Sequence, residues 1–121
     1  MSCELPTVYG CDKPKARKAH RCCDCRGSIN VGETYHRHHG IWDGRASTFK
    51  VCADCEALRA EVDKGERDPE SCTAFGELGQ SIIDSWEPQL FVRYMGIKRK
   101  RGAVIAPCMA ELEMEMQKLV Q

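Results

Sequence analysis

Nothing in this sequence approaches the roughly 20 consecutive apolar residues needed to cross a bilayer. Its first residues, Met1-Ser2-Cys3-Glu4-Leu5-Pro6, hold no apolar stretch of the kind a secretory leader needs, so a cytoplasmic setting is expected. Aromatic residues are scarce, three Phe, three Tyr and two Trp in 121 residues, so the core they help build is modest and a metal staple would help it. Neither sign of charge prevails, with 18 basic and 18 acidic residues, which excludes a uniformly polycationic or polyanionic chain. The distribution is uneven. Residues 13–50 carry nine Lys/Arg against three Asp/Glu, together with all four His, whereas residues 51–91 carry three against ten. A basic front half of this kind can form a patch for phosphates or for an acidic surface. Low-complexity tracts are missing, as is any internal repeat beyond paired cysteines.

Cysteine is abundant, with nine in the chain. Cys22 and Cys25 form one C-x2-C pair, and Cys52 and Cys55 form another after 26 intervening residues. Four thiolates so spaced are what a closed tetrahedral zinc site requires. Such a site leaves no open coordination position, so its zinc ion is structural. In a reducing compartment thiolate–metal chemistry is favoured, and a secreted disulfide framework is the rival reading. Cys23 lies too close to Cys25 to replace Cys22 as a ligand and reads as a spare thiol. Cys3, Cys11, Cys72 and Cys108 have no paired spacing and read as core or free thiols, although a second site among them stays open.

The expected organisation is a small α+β chain in three parts. Residues 1–19 form an irregular segment interrupted by Pro6, Gly10 and Pro14 and containing the basic run Lys13–Lys18. Residues 20–65 form the zinc module, and residues 66–121 form a helical region. Within the module, Glu33–Trp42 and Arg45–Val51 read as strands joined by an Asp43-Gly44 hairpin turn. A helix over Ala53–Lys64 follows, ending at Gly65. Cys52 and Cys55, three apart at its start, present both sulfurs to one side, where the helix N-terminus favours thiolates. Beyond a polar linker at Glu66–Glu70, Phe75, Leu78, Ile82, Ile83 and Trp86 recur at helical spacing. Pro88 ends or restarts that helix, a short helix over Leu90–Met95 follows, and Lys98–Gly102 reads as a basic turn. Pro107 opens a last helix striped with Met109, Leu112, Met116 and Leu119.

The pattern Cys22-x-x-Cys25-x3-Ile29-x2-Gly32-Glu33-x-Tyr35 resembles the start of LIM and poly(ADP-ribose) polymerase-type fingers. The resemblance implies a treble-clef-like zinc finger, made of a knuckle, a β-hairpin and a helix, across residues 20–65. This chain departs from it in having two Cys in the second pair, and in placing glycine one residue late, at Gly27. The chain as a whole is similar in style to small proteins encoded by bacteriophages and prophages.

Candidate partner-binding residues fall in two groups. On the hairpin, alternation sets His36 and His38 on one face and Arg37 and His39 on the other, with Trp42 and Arg45 flanking the turn. These could contact phosphate, hold a second metal or serve a nuclease, or they could simply form a solvated face. In the C-terminal half, Lys98, Arg99, Lys100 and Arg101, with Arg93, could form a phosphate-binding stripe or a solvated loop. The Met/Leu stripe of the last helix reads as core, or as the seam of a homodimer.

These features support a non-catalytic zinc-stabilised module that contacts nucleic acid or a protein that handles it. The alternative is a small adaptor or inhibitor that binds a host protein through the acidic 54–87 stretch or the helical half. An enzyme is the weakest reading. Treble-clef nucleases of the HNH type need a second His or Asn on the helix, and Glu56–Lys64 offers neither. The deaminase pattern is absent too, and the C-x2-C pairs lack the βαβ context of a thiol-redox site.

Overall fold

The structure is a computed structural model and describes residues 8–42, 44–65 and 75–120. Among the described residues, five strands come first: β1 Val8–Asp12, β2 His20–Arg21, β3 Ser28–Ile29, β4 Tyr35–Trp42 and β5 Arg45–Cys52. Four helices follow: α1 Ala53–Gly65, α2 Leu78–Ser85, α3 Pro88–Lys100 and α4 Pro107–Val120. The chain is therefore small and α+β, with a helical C-terminal half. Among the described residues, no helix is long and apolar enough to cross a membrane.

Strands β4 and β5 form the expected hairpin, with Trp42 paired to Arg45 and Tyr35 to Cys52. Gly44 carries the turn at φ +77, a conformation that costs glycine little. Asp43, its expected turn partner, lies outside the described residues, as do Cys3, Cys72 and the Glu66–Glu70 linker. The segment expected to be irregular supplies a strand. β1 pairs antiparallel with β4, Asp12 opposite Arg37, and makes a three-stranded sheet in the order β1-β4-β5. Glycine and proline interrupt the local pattern here, but a tertiary partner overrides local propensity. The chain then stays beside β4. Lys15 bridges Thr34, and the Tyr35 and Ala16 amides donate to the carbonyls of Pro14 and Glu33.

β2 and β3 form a second, two-stranded antiparallel ribbon around the Cys22–Cys25 turn. The helices lie against this turn. α2 ends at Trp86, which takes a left-handed φ of 54, and Pro88 opens α3 at a position where its missing N–H costs nothing. The expected basic turn at Lys98 is helical, because α3 runs on to Lys100. One apolar cluster joins both halves of the chain. It unites Cys22, Cys25, Ile29, Cys52, Cys55 and Leu58 with Leu78, Ile82, Phe91, Met95 and Met116. Burying each large side chain contributes about 1.5–3 kcal/mol. The α4 stripe is mainly core: Met116 is buried, and Met109 and Leu112 pack against the cluster, while Met114 and Leu119 face outward.

The late glycine of the knuckle has a physical explanation. Arg26, directly after Cys25, takes the left-handed conformation itself, at φ 65. Gly27 serves instead as the contact point for the end of α3: a Cβ there would sit 2.4 Å from Arg101 Cβ. Gly27→Ala should therefore destabilise the protein by about 1–3 kcal/mol through overpacking. Arg26→Gly should be neutral or stabilising, because it relieves a left-handed side chain at about 1–2 kcal/mol. Urea unfolding of the two variants checks both signs.

Candidate metal centre and the surfaces around it

Each cysteine of the cluster arrives by a local rule. The Cys22 N–H donates to the Gly27 carbonyl (2.9 Å) and the Arg26 N–H to the Cys22 carbonyl (3.1 Å), which curls the first pair into a tight turn. Cys52 is the last residue of β5, and Cys55 lies in the first turn of α1. Backbone amides point at the sulfurs: Gly27 N–H at Cys25 Sγ (3.3 Å), Cys52 N–H at Cys22 Sγ (3.4 Å) and Cys55 N–H at Cys52 Sγ (3.4 Å). All four cysteines are buried, at 0 % exposure, and their sulfurs lie within 4.8 Å of one another. Cys25 Sγ and Cys52 Sγ are 4.0 Å apart. Four sulfurs at about 2.3 Å from one tetrahedral ion would be about 3.8 Å apart. The spacing is thus that of a metal site and well beyond a disulfide bond.

The cluster's electrostatics call for a cation. Hydrogen bonding from Cys25, Cys52 and Cys55 pulls the Cys22 thiol far below its ordinary value, while Cys55, hydrogen-bonded to Cys22, Cys25 and Cys52, is pushed well above it. Four thiolates cannot be ionised side by side on their own, and a bound divalent ion stabilises all of them. Soft sulfur donors in a closed set of four suit zinc. Cys23 is different. Burial pushes its thiol up to about 12, and it packs against the core as a neutral group.

Polar side chains tie the helical half to this turn. Asp24, buried between the two ligands of the first pair, accepts from Arg59 Nη1 on α1 (3.0 Å) and from the Gly76 amide (2.8 Å). Burial raises the Asp24 carboxyl above its ordinary value, and the Arg59 guanidinium works against that rise. Tyr94 Oη on α3 donates to the Asp24 carbonyl (2.8 Å), and Lys98 Nζ donates to the Cys25 carbonyl (3.0 Å). Arg101 donates to the Ser28 carbonyl (2.9 Å) and pairs with Glu33 (2.8 Å) and Asp54 (3.0 Å). Its hydrogen bond holds the Glu33 carboxyl below its ordinary value. Positive charge near the sulfurs therefore comes from Lys98 and Arg101, in addition to any contribution from the expected Lys18, Arg21, Arg26 and Lys50.

The candidate binding residues do not form one patch. Lys98 and Arg101 are buried against the knuckle, Arg99 pairs with Glu113, Lys100 with Asp54 (3.1 Å), and Arg93 with Glu61. Arg37 and His39 share the outer face of the sheet, where Arg37 forms a two-pronged pair with Asp12. His38 and Trp42 lie on the inner face. His38 is only 5 % exposed, with Nδ1 sharing a 2.5 Å hydrogen bond with Tyr9 Oη and Nε2 lying 3.0 Å from Glu56 Oε2. Phe75 packs on the His38 ring (4.6 Å), Phe49 stacks on Phe75 (4.9 Å), and Trp42 meets both edge-on. Arg45 stands exposed beside the hairpin turn.

The contacts that sequence reasoning missed are Asp24–Arg59 and Tyr9–His38–Glu56. Both join residues far apart in the chain, and only the placement of Glu56 and Arg59 three apart on α1 hinted that they share a face. Comparison of the chain with family models, with curated proteins and with solved structures gave no match.

Cys25→Ser and Cys55→Ser should each abolish tight metal binding and unfold the chain, whereas Cys23→Ser should keep both the metal and the fold. Native mass spectrometry of the purified variants, read with circular dichroism, tests the ligand assignment. Asp24→Ala retains every ligand but leaves the Arg59 guanidinium without its buried carboxylate. It should cost about 3–5 kcal/mol in urea unfolding.

Proposed function

We propose that the chain is a non-catalytic, zinc-stabilised module of treble-clef-like build that binds nucleic acid through phosphate contacts. A buried cluster of four cysteines provides no open coordination position, which favours a structural metal over a catalytic one. The nuclease reading needs a hairpin His free to act as a base, but His38 is buried and engaged at both ring nitrogens.

The observation that carries the nucleic-acid reading is a contrast between two basic runs. Lys98–Arg101 is taken up by carbonyl contacts and ion pairs within the chain. Lys13, Lys15, Arg17 and Lys18 are all exposed, and among the described residues none of them forms an ion pair. Backbone bonds hold their segment along the start of β4, next to the outer face that carries Arg37 and His39. Cations fixed on a rigid edge lose little entropy on meeting a phosphate chain.

A second reading, an adaptor for a host protein in a phage-like setting, rests on exposed apolar side chains. Trp86 is 64 % exposed at the end of α2, and Met114, Leu119 and Val120 are exposed on α4, where a host protein or a second copy of the chain could cover them.

Fluorescence anisotropy with labelled single- and double-stranded oligonucleotides across a salt series tests the first reading. Binding should weaken with log[salt] at a slope of about −0.7 to −0.9 per phosphate contact. The triple variant Lys15→Glu, Arg17→Glu, Lys18→Glu should bind at least tenfold more weakly with a shallower slope, while Lys100→Ala should change neither. Absence of oligonucleotide binding, together with nuclease-resistant capture of a specific protein that is lost on Trp86→Ala, would favour the adaptor.

A further inference from the structure

We propose that Cys11, His36, His38 and Glu56 form a second metal site, separate from the four-cysteine cluster and suited to a borderline divalent ion such as zinc or cobalt. The four residues converge from three elements on the inner face of the sheet. His36 and His38 are two apart on β4, with rings near parallel at 6.4 Å between centroids. Cys11 on β1 is directly opposite His38 in the sheet register. Glu56, in the first turn of α1, aims one carboxylate oxygen at each imidazole: Oε2 lies 3.0 Å from His38 Nε2 and Oε1 lies 3.9 Å from His36 Nδ1. Cys11 Sγ lies 4.0 Å from the same His38 Nε2.

These separations are close to those of a coordination shell. Nitrogen and oxygen at about 2.0–2.2 Å from one tetrahedral ion lie about 3.3–3.5 Å apart, and sulfur and nitrogen about 3.6 Å, so Glu56 and His38 would part by a few tenths of an ångström to admit it. Only the four-cysteine group already has all its ligand atoms within 4.8 Å of one another among the described residues, so binding at the second set requires rotation of side chains. Cys11 is exposed and His36 is half-buried, which leaves both room to turn.

The surroundings favour a cation. With Nδ1–H donating to Tyr9 Oη, His38 presents the lone pair of Nε2 as the ligand nitrogen. Phe75 covers one side of the His38 ring, which limits access of water. Burial chiefly, with Glu56 contributing, raises both the Tyr9 hydroxyl and the Cys11 thiol. A sulfur, imidazole nitrogens and a carboxylate together make a borderline donor set, distinct from the all-sulfur cluster.

The competing account is a satisfied hydrogen-bond chain only, with Tyr9 donating to His38 and His38 to Glu56. Full-length protein carrying one equivalent of zinc, verified by native mass spectrometry, is titrated with cobalt. The expected result is a second bound ion with a visible cobalt spectrum and a near-ultraviolet thiolate-to-cobalt band. That band should vanish in Cys11→Ser, and cobalt affinity should fall by tenfold or more in His36→Ala. Both positions are accessible enough for the variants to fold, and retention of the first zinc confirms that they do. No second ion at a several-fold excess of cobalt overturns the proposal, and so does a second ion that binds the Cys11→Ser, His36→Ala double variant as tightly as it binds the wild type.

Discussion

Four sulfur atoms from two distant stretches meet within 4.8 Å, and the rest of the molecule is arranged around that meeting point. The first pair is set by the turn between β2 and β3, and the second by the passage from β5 into α1. The β2–β3 ribbon has only two residues in each strand, and a two-stranded ribbon by itself is marginal in water. A metal held by four cysteines contributes roughly 10–16 kcal/mol to folding, as much as the net stability of an ordinary domain. The backbone amides directed at the sulfurs stabilise their negative charge and fix the turn geometry that brings them together.

The helical half rests on the same point. Tyr94, Lys98 and Arg101 of the α3 region reach carbonyls of Asp24, Cys25 and Ser28, all within or just after the first cysteine pair. Asp24 extends the tie to Arg59 on α1 and to the Gly76 amide before α2. Charges buried this deeply are costly unless paired, and each of these has a partner placed by the knuckle. If the cysteine turn opens, the buried Lys98 loses the Cys25 carbonyl and Tyr94 the Asp24 carbonyl, and Phe91 and Met95 lose apolar neighbours. A metal bound at the cluster would thereby couple its own binding to docking of the helices.

Much of this architecture was legible in the sequence because it depends on short-range rules. The cysteine spacing gave the four residues that cluster, Asp43-Gly44 marked the hairpin, and apolar periodicity placed α1, α2 and α4 within a few residues. The exceptions share a cause. β1 was hidden because Gly10 and the nearby prolines weaken its local signal, while the pairing that makes it a strand comes from β4. The Lys98–Arg101 run looked like a solvent-facing turn because four successive charges usually are. In the structure the helix continues through them and sends Lys98 and Arg101 inward to acceptors more than 60 residues away in sequence. Asp24 looked like a spacer and proves to be a buried hub, a role that no local pattern encodes. That the cations without ion pairs lie at residues 13–18 follows from the same fact: which basic run is available to a partner depends on which acids the fold brings near it.

The central claim is that the cysteine cluster and the helical half stand or fall together. Native-state hydrogen exchange, followed residue by residue as a strong chelator removes the metal, tests it most directly. The account predicts that protection of the α3 amides from Phe91 to Arg101 collapses together with that of the β2–β3 turn. Loss of protection confined to the turn, with α3 still protected in the metal-free protein, would contradict it.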